Sequence, residues 1–330
     1  MERQIEIMAP AGNFEALMAA IQGGANSIYF GVENLNMRSH SANNFTMADL
    51  PEITRICSEN NVKSYLTLNI IMYNEDLEKG KQTLQAALDA GVSAVIASDI
   101  SVILYARSIG LEVHISTQAN ISNIEAVRFY SQFADVVVLA RELNMEQVKE
   151  IHNQIIEQNI CGPSGRLVEI EMFCHGALCM AVSGKCYLSL HEYNHSANRG
   201  SCFQICRRGY EVTDLETGRQ LEVDNKYIMS PKDLCTIEFM DKMFNAGVKV
   251  FKIEGRARGA EYVKKVASAY RRAADLLEEG TFTPEKATEF KKELEEVFNR
   301  GFWDGYYQGA RLGEWSKVYG SNATRKKTYI

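Results

Sequence analysis

The stretch KSYLTLNIIMYNEDLEKGKQTLQAALDAGVSAVIA, residues 63–97, decides the fold because it carries one full repeat of the chain's pattern. It opens with the apolar run Lys63–Leu68, continues into the amphipathic stretch Asp76–Ala90 and closes with a second apolar run, Ala94–Ala97. Two short apolar runs separated by helical periodicity are typical of a strand–helix–strand unit with parallel strands.

The same alternation extends over most of the chain. Six further apolar runs predict strands at Ile5–Ala9, Ser27–Gly31, Glu112–Ile115, Val136–Leu139, Val168–Phe173 and Val250–Ile253. Amphipathic stretches predict helices at Asn13–Gly23, Met47–Asn60, Asp76–Ala90, Ser101–Ile109, Asn123–Gln132, Met145–Glu157, Ala260–Glu279 and Pro284–Phe298. Eight strands, most of them followed by a helix, predict an α/β fold of the (β/α)8, TIM-barrel-like kind. A doubly wound open sheet is the alternative.

The predicted domain organisation follows from this order. Residues 1–280 form the barrel domain, which includes a cysteine-rich insertion, 171–248, after the seventh strand. Residues 281–330 form a C-terminal helix and a polar, basic tail that we expect to lead into a further domain. A chain of 330 residues is long enough to bury one large core.

Composition and charge exclude some classes of protein. The net charge of −6 argues against nonspecific coating of nucleic acid, although local basic groups such as Arg207-Arg208 and Arg271-Arg272 leave RNA binding open. No apolar run approaches the ~20 residues of a membrane helix, and the first residues lack a basic and then apolar leader. We therefore expect no membrane partner and a cytoplasmic location, where thiols stay reduced.

Cysteines concentrate in one part of the sequence. Six of the eight lie between residues 171 and 235: Cys174, Cys179, Cys186, Cys202, Cys206 and Cys235. Their uneven spacing lacks the tight pairs that zinc sites favour and suits an iron–sulfur cluster at least as well. Structural zinc and buried thiols are the alternatives.

Several motifs resemble the U32 family, historically labelled peptidases or collagenases. They are Met8-Ala-Pro-Ala-Gly12, Glu171-Met-Phe-Cys-His-Gly-Ala-Leu-Cys179, Ser183-Gly-Lys-Cys186, Asn198-Arg-Gly-Ser-Cys202-Phe-Gln-Ile-Cys206, Ser230-Pro-Lys-Asp-Leu-Cys235, Lys252-Ile-Glu-Gly-Arg256 and Asn299-Arg-Gly-Phe-Trp-Asp-Gly-Tyr306. The resemblance spans nearly the whole chain and is closest to the branch that hydroxylates RNA.

The resemblance implies a function and a cofactor. It implies prephenate-dependent hydroxylation of uridine-34 in tRNA, forming 5-hydroxyuridine, with a [4Fe–4S] cluster held by Cys179, Cys186, Cys202 and Cys235. Cys206 is the rival for the third position. The partners it implies are tRNA, a small dicarboxylate and a redox or subunit partner. A U32 peptidase and a partner in anaerobic ubiquinone synthesis are the alternative functions.

Polar residues near the carboxyl ends of predicted strands give the candidate catalytic set. In a barrel these ends build the active site, which selects Gln118, Arg141, Glu171, His175 and Arg256. Arginine binds carboxylates or phosphates through two parallel hydrogen bonds. Arg38, in the loop after the second strand, is a further candidate.

A protease pattern is also present in the sequence. His191-Glu-Tyr-Asn-His195 matches H-E-x-x-H, which binds zinc only when both imidazoles share one face of a helix. The residues that follow, Ser196-Ala-Asn-Arg-Gly200, lack apolar periodicity and argue against such a helix. No G-x-S-x-G motif for a serine nucleophile appears.

Overall fold

The computed structural model describes residues 5–33, 35–37, 44–219, 227–309, 313–318 and 320–324. The strands in this part of the chain are β1 Glu6–Pro10, β2 Ser27–Phe30, β3 Lys63–Leu68, β4 Ala94–Ala97, β5 Glu112–Ile115, β6 Val136–Val138, β7 Glu169–Gly176, β8 Asp233–Cys235, β9 Val248–Ile253 and β10 Phe302–Trp303. The α-helices are α1 Phe14–Gln22, α2 Leu50–Glu59, α3 Leu77–Asp89, α4 Ile100–Ser108, α5 Ile124–Tyr130, α6 Met145–Glu157, α7 Leu188–Tyr193, α8 Met240–Asn245, α9 Ala260–Glu278 and α10 Pro284–Glu295.

Eight of these strands close into a barrel. Strands β1 to β7 pair in chain order, and β9 pairs in parallel with both β7 and β1. The eight predicted barrel strands are therefore confirmed, and the open sheet is excluded. The cysteine-rich segment lies between β7 and β9, the seventh and eighth barrel strands, as predicted.

Two short strands extend the sheet outside the barrel. β8 pairs antiparallel with the carboxyl end of β7, and β10 pairs in parallel with β8. The sequence analysis did not predict them, because two or three residues are too few to show a period of two. They fix the segment after residue 227 against the barrel wall.

Apolar side chains form two groups of core residues. Alternate strand residues, among them Met8, Tyr29, Ile96 and Val250, fill the barrel interior, while their neighbours Ile28, Val95 and others pack under the helices. This alternation is what a strand buried on both faces requires. In the described residues no helix is both long enough and apolar enough to span a membrane.

The helices begin where the sequence provides capping residues. The Asn13 side chain accepts a hydrogen bond from the backbone N–H of Ala16, and Asn144 and Gln147 form a reciprocal capping box at α6. The last two helices, α9 and α10, follow the eighth barrel strand, as predicted. The helices thus leave the carboxyl ends of the strands to the loops.

Candidate active site at the barrel mouth

A pocket lies at the carboxyl ends of the barrel strands. Asn69 follows β3, Gln118 follows β5, Arg141 follows β6 and Arg256 follows β9, and all four line the pocket. Residues 177–219, which we call the mouth loop, supply the other wall. This is the position in which βα loops of barrel proteins build active sites.

Four thiols of the mouth loop line this pocket. They belong to Cys179, Cys186, Cys202 and Cys206. All four are free; Cys179 is exposed and the other three are partly exposed. The structure therefore brings three of the four predicted ligands together and adds Cys206, which the sequence analysis named only as a rival.

Arg207 fixes the position of this thiol group. Its guanidinium donates hydrogen bonds to the carbonyl of Leu178 at 2.7 Å and to the carbonyl of Pro231 at 2.6 Å. Leu178 precedes the first thiol of the group, and Arg207 follows the last, so one side chain links the two ends of the segment that carries the four thiols. Arg207 also places a cation beside Cys206 and Cys179.

Burial and repulsion from neighbouring thiols oppose ionisation of Cys186 and Cys206. Burial raises the pKa of Cys186 and Cys206, and the neighbouring thiols Cys179 and Cys202 raise it further. Crowded thiolates need a cation to neutralise them, and soft thiolate ligands select zinc, Cu(I) or iron–sulfur clusters. The chemistry of the donor set therefore fits a thiolate-bound metal group.

The four thiols do not converge on a single point in the described part of the chain. Among the described residues, no three His, Cys, Asp or Glu side chains meet as ligands of one metal ion. A [4Fe–4S] cluster is held by four cysteine thiolates, one on each iron, so its ligands stand around a body rather than around a point. Four thiols on the wall of one pocket provide the number of thiolates that such a cluster needs.

Cys235 lies apart from the other predicted ligands. It is the last residue of β8, opposite His175 of β7, and is buried beside Cys174 and the Tyr270 hydroxyl. Burial raises its pKa to about 12. Cys235 does not line the pocket, whereas Cys206 does. The sequence could not show that the segment around Cys235 is a strand paired to the barrel wall.

Cations dominate the rest of the pocket wall. Among the described residues that line it, Glu254 supplies the only carboxylate, while the cations belong to Arg141, Arg207, Lys252, Arg256, Arg258 and Arg300. Such a wall attracts anions. A small molecule with carboxylate or phosphate groups is therefore the ligand that the electrostatics favour.

Two predicted arginines lie at this wall, Arg141 and Arg256. The Arg256 guanidinium is buried and donates to Thr67 Oγ1 at 3.0 Å and to Asn36 Oδ1 at 2.8 Å. Gly31 leaves room for it, since a Cβ there would lie 2.2 Å from Arg256 Nη1. The Arg141 guanidinium stacks 3.9 Å from the Phe173 ring centroid, and its buried Nε has no hydrogen-bond partner in the described part of the chain.

Gln118 also reaches the pocket. A Cβ at Gly184 would lie only 2.2 Å from Gln118 Oε1, so glycine is required at this point of the mouth loop. That buried oxygen accepts no hydrogen bond from any residue that the structure describes. A buried polar atom without a partner is costly, and here it belongs to a side chain that lines the pocket.

Glu171 lies below the pocket and holds a lysine that the sequence analysis quoted but did not select. Lys252 Nζ lies 2.7 Å from Glu171 Oε1, and both side chains are buried. Lys252 lines the pocket, whereas Glu171 does not. The available signal was a charged residue two positions after Val250, on the inward face of a barrel strand.

His175 does not reach the pocket, contrary to the prediction. The pairing of β7 with β9 shifts between Phe173 and His175, and such an irregularity re-aims a side chain. The imidazole packs against the rings of Tyr270 and Phe302, and burial lowers its pKa to about 3. It is therefore a neutral residue of the barrel wall.

The H-E-x-x-H pattern does not form a zinc site. Helix α7 includes His191 but ends at Tyr193, and Asn194 adopts a left-handed conformation before His195. The two imidazoles therefore do not share a helix face, as the sequence analysis expected, although a short helix is present. Arg38 lies outside the described residues.

The closed α/β barrel, with thiols and cations at the carboxyl ends of its strands, has the architecture of an α/β-barrel enzyme. The chain belongs to peptidase family U32, whose family model matches residues 12–317. It is 62% identical to a collagenase of Porphyromonas gingivalis, over 98% of this chain and 78% of that protein. It is 35% identical to tRNA hydroxylation protein P1 of Bacillus subtilis, over 98% and 75%. It is 33% identical to the 23S rRNA 5-hydroxycytidine C2501 synthase of Escherichia coli, over 94% and 46%.

Proposed function

We propose that the chain is an iron–sulfur RNA hydroxylation enzyme that forms 5-hydroxyuridine at position 34 of tRNA with prephenate as co-substrate. One observation carries the proposal: four free thiols and a wall of cations face the same pocket at the barrel mouth. That combination provides for a cluster and for a small dianion side by side. The names of relatives at 33–35% identity support RNA as the second substrate.

In this proposal, one group of residues holds the cluster and another binds the small acid. Cys179, Cys186, Cys202 and Cys206 would hold a [4Fe–4S] cluster, which supplies redox or Lewis-acid chemistry when bound. Arg141 and Arg256 would bind the carboxylates of the small acid, because the guanidinium fork matches a carboxylate.

Gln118, with its carbonyl oxygen buried and unpaired among the described residues, would accept a hydrogen bond from the acid or from the base. A single-stranded loop of RNA can present one unstacked base to such a mouth.

A peptidase is the second candidate, because the relative at 62% identity is named a collagenase. The geometry gives it less support. The two histidines of the zinc-protease pattern lie on and beyond the end of a six-residue helix. In the described residues no group of three ligands for a single metal ion is present.

The proposal is tested by complementing a strain that lacks its own tRNA uridine hydroxylation genes. We expect mass spectrometry of tRNA nucleosides to show 5-hydroxyuridine derivatives with this chain, and a loss of at least about tenfold with Arg256→Gln, which removes a charged hydrogen-bond donor from the pocket. Lys249→Gln, a partly exposed change in the same barrel strand, is the control.

Failure of the iron-loaded, expressed chain to restore the nucleoside would overturn the proposal. Cleavage of denatured collagen by the purified protein, lost in the Arg256 variant but kept in the control, would instead favour the peptidase.

A further inference from the structure

Lys252 is a buried pocket residue to which the proposed function gives no role. It is the penultimate residue of β9, and its side chain is 5% exposed. Its ammonium lies 4.7 Å from the Tyr29 ring centroid and 5.5 Å from that of Phe173, and it pairs with Glu171 at 2.7 Å. The charged group is thus enclosed by barrel side chains, yet it forms part of the pocket wall.

Stability does not explain a buried pair in this position. Replacing a buried ion pair by apolar residues of similar volume is often neutral or stabilising, because desolvation cancels much of the attraction. Burial also lowers the pKa of Lys252, with Glu171 opposing that shift. A desolvated lysine with a lowered pKa is the form in which enzymes use an amine as a nucleophile.

A proton acceptor is already in contact with the amine. Glu171 Oε1 accepts the hydrogen bond from Lys252, while the buried Glu171 Oε2 has no partner among the residues described. The carboxylate can therefore take a proton from the ammonium and return it later in the reaction.

A group that binds a carboxylate lines the same pocket as the amine. Arg141 stacks on the Phe173 ring that also lies below Lys252 Nζ, at 3.9 and 5.5 Å from the centroid. The Nε of Arg141 has no hydrogen-bond partner in the described residues. One small acid can therefore contact the guanidinium through a carboxylate and the amine through a neighbouring carbonyl carbon.

We propose that Lys252 forms an imine with the keto group of a 2-oxo acid bound at the barrel mouth. The ammonium first gives a proton to Glu171, and the free amine attacks the C2 carbonyl. The C–N bond forms as the C=O π bond breaks, and a proton moves from the attacking nitrogen to the oxygen, which becomes a hydroxyl. Glu171 then protonates that hydroxyl, which leaves as water, and the product is a protonated imine. No oxidant or reductant is consumed. The identity of the acid rests on the proposed function, since prephenate is a 2-oxo dicarboxylate.

Borohydride trapping tests this inference. The anaerobically prepared protein is incubated with prephenate, or with 2-oxoglutarate as a second 2-oxo dicarboxylate, reduced, and mapped by peptide mass spectrometry. We expect the peptide containing Lys252 to gain the mass of the acid less one oxygen atom. Succinate, which has no keto group, should give no adduct.

Two lysine variants serve as matched tests. Lys252→Arg keeps the cation beside Glu171 but removes the nucleophile, so labelling should fall at least tenfold; Lys249→Arg, in the same strand, should leave it unchanged. Mapping of the unsubstituted protein gives the answer even if Lys252→Arg does not fold.

The outcomes separate this inference from the proposed function. Labelling spread over exposed lysines, or an unlabelled Lys252 in protein that hydroxylates tRNA, would overturn the imine and leave the function standing. A labelled Lys252 in protein that forms no 5-hydroxyuridine would support the imine and overturn the proposed function.

Discussion

The same residue types have different environments in the sheet and in the mouth loop. In the sheet, Cys174 and Cys235 are buried in paired strands, and the Glu171 carboxylate is paired with Lys252. In the mouth loop, the thiols face a pocket and Glu192 is exposed, 4.0 Å from Arg208. A residue of the sheet is held by its strand partners, whereas one of the mouth loop is available to a ligand. Residue type alone therefore does not identify a functional residue in this chain.

The largest expected effect comes from replacing one cysteine in each of the two regions by alanine. We expect Cys206→Ala to lower the iron content and the visible absorbance of anaerobically purified protein by more than about tenfold. Loss of an outer-shell partner of a metal ligand already costs roughly tenfold, and loss of a ligand should cost more. Cys235→Ala should keep the iron and lower the free energy of unfolding by about 1 kcal/mol, the cost of removing one buried atom. Iron analysis and denaturant unfolding of both variants measure this. Loss of iron in Cys235→Ala alone would break the comparison and restore the original ligand set.

Most of the sheet and part of the pocket lining could be predicted from the sequence. The strand Ala94–Ala97 agrees to the residue, because a buried parallel strand leaves an unbroken apolar run. The errors have one physical source, which is pairing between distant segments.

The predicted seventh strand ended at Phe173, but partners in β8 and β9 extend it to Gly176, which places His175 inside the wall. The same pairing buries Cys235. Arg141, Gln118 and Arg256 lie beyond strand ends and line the pocket, while their catalytic role stays a prediction.

The next effect separates a buried ion pair from an exposed one. Glu171→Gln leaves the Lys252 charge buried, which typically costs about 3–5 kcal/mol. The loss of stability in this variant cannot exceed the free energy of deprotonating Lys252, which for an ordinary lysine at pH 7 is about 5 kcal/mol. In the mouth loop, Glu192→Gln should change the free energy of unfolding by less than about 1 kcal/mol, because exposed pairs contribute little.

Urea unfolding at pH 7 compares the two single variants. Glu171→Leu combined with Lys252→Met should recover most of the lost stability, since the double variant leaves no unpaired charge. Equal effects of Glu171→Gln and Glu192→Gln would show that the sheet and the mouth loop do not differ as described.

The smallest effect is a pH dependence that belongs to His175. In the unfolded chain the imidazole takes up a proton below its ordinary pKa of 6.5, but in the buried site it does so only near pH 3. The unfolded state therefore binds more protons throughout that window, and stability falls as the pH falls through it. Between pH 7 and pH 5 the loss from this residue should be about 2 kcal/mol.

The measurement is the slope of unfolding free energy against pH. His175→Phe, which keeps a ring against Tyr270 and Phe302, should flatten the slope, whereas His191→Gln, an exposed imidazole of the mouth loop, serves as the control. If His175→Phe keeps the full slope, the acid sensitivity comes from elsewhere and His175 is not sealed in the wall. If it removes the slope, a histidine next to a cysteine motif acts as a wall residue, since its strand partners and not its sequence neighbours set its chemistry.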